Sequence, residues 1–270
     1  WDRDAVMEMI TDVTSDVNPE IISSLTAALP EQNFEAEEQQ MLEALKAWDG
    51  TADLESKEAV LFHRWVYEFL SATFKDELGA DGFESLLSTH LMKRLIVPMS
   101  QKAESLWWDD ILTPEVVEQR GDIVLQSFDA AVASSRSDFG GYQGEWGWKD
   151  VHSLEVNHPF GRVESLRSYF NVGPFPVNGT REVINNLSFP YDSTGFYKVN
   201  VGPSTRRVID FSDIEASMSI LPTGQSGNPF SPHYDDQVQL YLEGKFRKML
   251  INKEEIRNSS SSMLIFSFDQ

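Results

Sequence analysis

Between Ser226 and Asp236 the chain carries a serine, a histidine and two carboxylates, the residue types of nucleophilic acyl transfer. Ser226, His233 and Asp236 can be written down as a serine–histidine–aspartate triad. The flanking Gly224-Gln225-Ser226-Gly227-Asn228 is not the Gly-x-Ser-x-Gly turn that exposes such a serine, because Gly227 follows one place too early. Triads are defined by geometry, and a resident triad is not the expectation here. Asp235 and Asp236 do not form an acid/base pair either: on the helix expected there, adjacent side chains diverge by about 100°. They suit the positive end of that helix instead. Gln225 does not titrate near neutral pH and is no general base, but its amide donates and accepts hydrogen bonds at once. Two roles stay open for it. It orients a neighbouring catalytic group, or it pins its own loop by bonding the local backbone.

His152, Glu155 and His158 invite a metal reading. On a strand the two histidines share a face with Leu154 and Val156, and Glu155 points the other way. That pattern is expected to be core, so no metal site is assigned. His63 and His90 lie in amphipathic helices without ligand partners at i+4 and are expected at the surface or between helices. Trp107-Trp108 lines a pocket for an apolar group or packs between helices. Asn178, Asn186 and Asn258 each begin an Asn-x-Ser/Thr triplet, a pattern frequent by chance.

The elements that must position these residues surround the stretch from Ser217 to Gln237. Pro222, Pro229 and Pro232 fix φ there, and Gly224 and Gly227 permit close backbone approach. A strand is expected before this stiff loop, from Ile214 to Leu221. A helix is expected after it, with Ser231 at the N-cap and Pro232 in the first position. Tyr234, Val238, Tyr241 and Leu242 form its buried stripe, Gly244 ends it, and Lys245, Arg247 and Lys248 follow.

Residues 1–135 read as mostly helical. The pattern predicts helices from Asn18-Pro19 to Ala28, from Phe34 to Trp48, through Val60–Phe69, across Leu86–Leu95 and from Thr113-Pro114 to Asp129. Gly140-Gly141 and Gly144 mark a loop-rich change of texture. Residues 136–270 then read as strand-rich, with strands expected at Val151–Val156, Glu182–Leu187, Phe196–Val201, Arg207–Ile209, Ser217–Leu221 and Met263–Phe268. The class expected is α+β, a helical half followed by a strand-rich half.

The chain has 270 residues, enough to bury a substantial core as one domain or two. Hydrophobic residues make up 41%, which excludes a disordered chain. No apolar run approaches the roughly 18 residues of a spanning helix. The net charge of −21 repels phosphate backbones and anionic bilayers, so no nucleic-acid or membrane partner is expected. With no cysteine there is no disulfide, thiolate nucleophile or Cys–metal site.

Gly224-Gln225-Ser226-Gly227-Asn228-Pro229, followed by Ser231-Pro232-His233-Tyr234 and Asp236-Gln237, resembles the C-terminal signature of the penicillin acylase family of N-terminal-nucleophile hydrolases. Gly202-Pro203-Ser204-Thr205-Arg206-Arg207-Val208-Ile209-Asp210 looks like the Ser-x-Arg-x-Val-x-Asp strand before it. Trp146–His152, Phe170–Pro174 and Met9–Ser15 look like further family segments, so the resemblance covers essentially the whole chain. It implies a strand-rich half that contributes to an αββα sandwich. It also implies a precursor that cuts itself into an α and a β chain, the new N-terminal serine attacking an amide carbonyl. Trp1 has no hydroxyl, and the nucleophile and the oxyanion-hole asparagine align upstream of it. The chain is therefore expected to be the C-terminal part of a β chain, with no catalytic residue or cofactor of its own. Calcium is implied only for the complete protein, mostly on upstream ligands. Gln225, Ser226, Asn228 and His233 are expected beside the active site, with Arg206, Asp210, Asp236 and Gln237 as its structural support. Some relatives carry a carboxylate where Gln225 aligns. The implied partners are the α chain, the first part of the β chain and a small N-acylated substrate: a β-lactam side chain, an acyl-homoserine lactone or similar. The implied location is periplasmic or extracellular. The rival expectation is a non-catalytic acylase-like module for assembly or binding.

Overall fold

The computed structural model describes residues 2–89 and 91–267, with only the backbone of 91–93. His90 and Phe268 fall outside the described residues. In chain order the helices are α1 (Arg3–Ile10), α2 (Val17–Thr26), α3 (Ala36–Ala47), α4 (Lys57–Leu87), α5 (Leu91–Ser100) and α6 (Arg120–Phe139). Strand β1 (His152–Val156), helix α7 (Glu164–Phe170), and strands β2 (Val172–Pro176), β3 (Tyr197–Lys198), β4 (Arg206–Val208) and β5 (Met218–Ile220) follow. Helix α8 (Val238–Leu242), strand β6 (Arg247–Lys248) and helix α9 (Lys253–Ser259) complete the α-helices and strands among the described residues. The fold is thus mixed, with helices and small sheets. Residues 12–202 form one compact body, and the residues up to Thr11 join Pro203 onward in another. Among the described residues no helix is long and apolar enough to cross a membrane.

The body of residues 12–202 is built on α4. The Ser56 hydroxyl caps it by accepting from the Ala59 N–H at 3.1 Å. Val60, Leu61, Phe62, Trp65, Val66, Phe69 and Leu70 are all buried, so this helix is apolar around most of its circumference. It bends at Gly79, whose φ of 66° suits glycine. Helix α6 packs along it: the Trp65 indole donates to Ser127 Oγ at 3.1 Å, and the Phe128 ring meets Trp65 edge-on at 5.0 Å. Strand β1 sits centrally in a three-stranded sheet, antiparallel to β2 and parallel to β3. An aromatic cluster lies beneath it. Trp148 stacks between His152 and His63, at 4.7 and 5.0 Å, and Phe189, Tyr191 and Tyr197 surround them. His63, expected between helices or at the surface, is fully buried, and its Nδ1 bonds the Tyr191 hydroxyl.

Several element ends differ from expectation for local reasons. Helix α2 begins at Val17, because Ser15 Oγ accepts the Asn18 N–H, and Asn18 lies inside the helix. The expected Leu86–Leu95 helix is interrupted: α4 ends at Leu87 and the next helix starts at Leu91. Pro114 does not open α6. Glu118 accepts from the Asp110 N–H and the Thr113 hydroxyl, which folds that segment into turns, and Gln119 with Asp122 caps the helix at Arg120. Glu182–Leu187 is no strand, because its amides turn inward: Asn185 N donates to Asp12 O and Leu187 N to Thr180 O, both at 2.9 Å. Residues 263–267 join no sheet.

The other body holds a three-stranded antiparallel sheet, ordered β4, β5, β6. Helix α8 ends as expected at Gly244, whose φ is 68°. Its N–H donates to Tyr241 O, and Lys245 N donates to Leu240 O, which satisfies the last carbonyls.

Candidate functional site

The segment joining β5 to α8 closes on itself. Gly224 N donates to Tyr234 O at 2.7 Å and Ser226 N to His233 O at 3.0 Å. Inside this closure each turn is held by a short polar side chain. Ser226 Oγ accepts from Asn228 N at 3.1 Å, Asn228 Oδ1 from Phe230 N at 3.0 Å, and Ser231 Oγ from His233 N at 3.2 Å. Gln237 is buried, and its Oε1 accepts from Leu221 N at 3.3 Å, fastening the end of β5 to the start of α8.

That closure corrects the helix boundary. Ser231 and Pro232 were expected to start α8, and the helix begins at Val238. The carbonyls of His233 and Tyr234 are already taken by the amides of Ser226 and Gly224. They are not available to the amides four residues on, which a helix through this segment would need. Asp236 therefore serves as a partner for His233, at 3.0 Å from its Nδ1, rather than as a helix-end charge.

Gly224 is where the backbone must be bare. A Cβ there would overlap the His233 carbonyl oxygen and stand 2.7 Å from Asp236 Oδ1. Gly227, three residues on, has nothing within 4 Å of the same position. Gly224→Ala is expected to break both closing hydrogen bonds and destabilise this body by about 2–3 kcal/mol, at about 1 kcal/mol per bond plus the strain of the displaced chain. Gly227→Ala is expected to change stability by less than about 0.5 kcal/mol. Hydrogen exchange at the amides of residues 224 and 226, beside thermal melts of both variants, checks the contrast.

The remaining sequence-selected residues make other contacts. Arg206 is buried, its guanidinium 3.8 Å from the centre of the Tyr241 ring, and its Nη1 donates to Tyr241 O at 2.8 Å. A cation is well placed at that helix C-terminus, although burial pulls the guanidinium below its usual range. Asp210 Oδ1 accepts from Ser212 N and Ser212 Oγ, at 2.9 and 2.6 Å, and these bonds lower its pKa. The loop brings Ser226, His233 and Asp236 close in sequence and space, but Ser226 Oγ is turned to the Asn228 amide and not to the imidazole. Gln225 is exposed and bonds no described residue, so it does not pin its loop.

His152, Glu155 and His158 have separate engagements. His152 Nδ1 and Nε2 face the carbonyl oxygens of Val177 and Leu187, at 2.9 and 3.3 Å. Burial pulls its pKa down to about 4, outweighing those two carbonyls, which favour the charged ring. Glu155 pairs with Arg167, whose guanidinium lowers its pKa, and His158 Nδ1 accepts from Phe160 N at 3.1 Å. Trp108 is buried, its indole donating to Lys102 O, and Trp107 packs edge-on against Phe74. A cleft of about 710 Å³ in the body of residues 12–202 was not anticipated. Tyr67, Phe83, Phe189 and Tyr191 make its apolar wall, and Lys75 and Arg181 line it too. Nothing in the local spacing marks it, because its walls come from α4 and from the distant segment between Arg181 and Val201.

Residues 1–258 match the sequence profile of the penicillin amidase family. The chain belongs to that family. It is 30% identical over 235 residues to an acyl-homoserine lactone acylase of Pseudomonas fluorescens (strain Pf0-1), covering 81% of this chain and 26% of the relative. It is 26% identical over 245 residues to the corresponding acylase of Pseudomonas aeruginosa, covering 81% of this chain and 27% of the relative. A thermostable penicillin G acylase from Alcaligenes faecalis superposes with a TM-score of 0.45 at 16% identity, covering 96% of this chain and 48% of that chain. The chain spans about a quarter of the length of the curated relatives it matches.

Proposed function

We propose that this chain is the C-terminal portion of an amidohydrolase that cleaves the bond between an acyl group and an amine. The substrate class is an N-acyl compound, such as an acyl-homoserine lactone or an acylated β-lactam. The observation that carries this reading is the family match across residues 1–258. The share of the relatives' length that the chain spans accords with a nucleophile on a segment outside it. So does the loop geometry, in which the Ser226 hydroxyl is engaged by a backbone amide. In this reading the strand-rich half contributes strands to an αββα sandwich shared with that segment. The partners are an α chain and the first part of a β chain, both released by self-cleavage of a precursor, and calcium, where bound, is held mostly by them. The location that goes with this reading is periplasmic or extracellular. The closed loop then presents Gln225, with Asn228 and His233, toward a catalytic group it orients but does not replace.

Two substitutions in the assembled protein test this on chromogenic N-acyl substrates. Ser226→Ala is expected to retain activity. Gln225→Ala is expected to lower kcat about 10-fold or more through mispositioning, with Tm unchanged because the side chain is exposed. Loss of all turnover in Ser226→Ala, or hydrolysis by the isolated 270-residue chain, would overturn the assignment of the nucleophile elsewhere. An assembled protein inert on a broad amide panel would favour the binding module.

A further inference from the structure

Arg64 is 3% exposed and sits inside the body of residues 12–202. Its Nη2 donates to Asp138 Oδ2 at 2.6 Å, and its guanidinium lies 5.1 Å from the centre of the Phe139 ring. The other two nitrogens, Nε and Nη1, are buried and find no hydrogen-bond partner among the described residues. The Tyr197 hydroxyl is in the same condition, buried and without a partner. Both side chains line one small enclosed space of about 20 Å³, with Tyr67, Glu68 and the turn from Asp192 to Gly195 around it. Gly195 closes the space. Its φ is 65°, and a Cβ there would come within 3.0 Å of Arg64 Nε.

Leaving a buried donor unsatisfied costs about 1–3 kcal/mol, and more when the donor is charged. Two donors of one guanidinium and a phenol hydroxyl, on side chains that line one space, make a site that donates hydrogen bonds to an acceptor held between them. A space of roughly 10–15 Å³ or more holds one water, so about 20 Å³ admits one and excludes an organic group. The local charge is already negative: Asp138 pairs with Arg64, and Glu68 and Asp192 add further negative charge beside Tyr197. A second anion would be repelled.

We propose that Arg64 and Tyr197 bind a single internal water molecule, and that this water ties the start of β3, and with it the Asp192–Gly195 turn that leads into β3, to α4. The water accepts from Arg64 and exchanges a hydrogen bond with the Tyr197 hydroxyl. Asp192 and Ser193 of the same turn also line the 710 Å³ cleft, so the bound water holds one wall of that cleft in place.

A crystal structure of the full-length protein grown in sodium bromide tests the occupant. A single water peak within hydrogen-bond distance of an Arg64 nitrogen and of Tyr197 Oη, with no anomalous signal, is the expected result. A bromide peak, a protein atom in the space, or no density there would each overturn the proposal. Tyr197→Phe gives a second reading in solution. It is expected to lower Tm by about 2–4 °C and to speed hydrogen exchange of residues 192–196 several-fold, leaving α4 protected. Unchanged exchange of that turn would overturn its fastening by the water. The site is independent of the amidohydrolase reading, since neither experiment measures turnover.

Discussion

Trp148→Ala is expected to destabilise the body of residues 12–202 by about 3–5 kcal/mol, the range for deleting a fully buried large aromatic side chain. Trp148 is entirely buried. Its ring lies 4.7 Å from His152, 5.0 Å from His63, 5.4 Å from Tyr197 and 5.8 Å from Phe189, so its loss opens a cavity at the centre of the aromatic cluster. Its indole nitrogen also donates to Gly179 O at 2.9 Å, and alanine leaves that carbonyl unpaired. Trp148→Phe separates the two contributions: it keeps a ring in the stack and gives up only the hydrogen bond and part of the volume. A smaller loss is therefore expected for phenylalanine than for alanine, measured by urea unfolding followed by circular dichroism. A loss below about 1 kcal/mol for the alanine variant would contradict the central place given to this ring.

Acid is expected to weaken the same body by about 3 kcal/mol between pH 7 and pH 4 through one residue. Burial holds the His152 pKa at about 4 in the fold, against 6.5 for an ordinary histidine. The depressed value means that the fold favours the neutral ring. The stabilisation is complete above pH 6.5 and is lost progressively as the pH falls toward 4, where the unfolded chain binds a proton that the folded chain does not. The gap between the two values corresponds to about 3 kcal/mol. Lowering the pH also discharges carboxylates in a chain of net charge −21, which relieves self-repulsion and works in the opposite direction. The diagnostic quantity is therefore the difference between the parent and His152→Gln. The parent is expected to lose more stability than the variant over this pH interval, and parallel pH profiles would refute the assignment.

The elements most legible in sequence were those whose signals are local. Gly244 ends α8 because a positive φ is required there, and the alternation around His152 marks β1 with its buried face. The family signature from Gly224 to Gln237 also identified the loop. What local signals missed was set by partners far along the chain. Ser231-Pro232 has the composition of a helix start, but the amides of Gly224 and Ser226 capture the carbonyls that the first turn would have used. Glu182–Leu187 has a strand's composition, but Asp12 and Thr180 take its amides. His63 sits on a helix whose pattern looks amphipathic, yet a ring from Trp148 and a hydroxyl from Tyr191 bury it. The change of composition near Gly140 marks where helices give way to strands. By packing, residues 12–202 form one body, and Pro203 onward joins the residues up to Thr11 in another.

The loop before α8 is shaped by main-chain bonds and by the short side chains of Ser226, Asn228 and Ser231, while Gln225 and Phe230 project from it unengaged. Form and display are thereby separated. Divergence at position 225 or 230 can alter what the protrusion touches without refolding the protrusion itself, whereas drift at Gly224 is barred by the opposing carbonyl. In an evolving lineage such a scaffold lets the tip vary while its base stays unchanged.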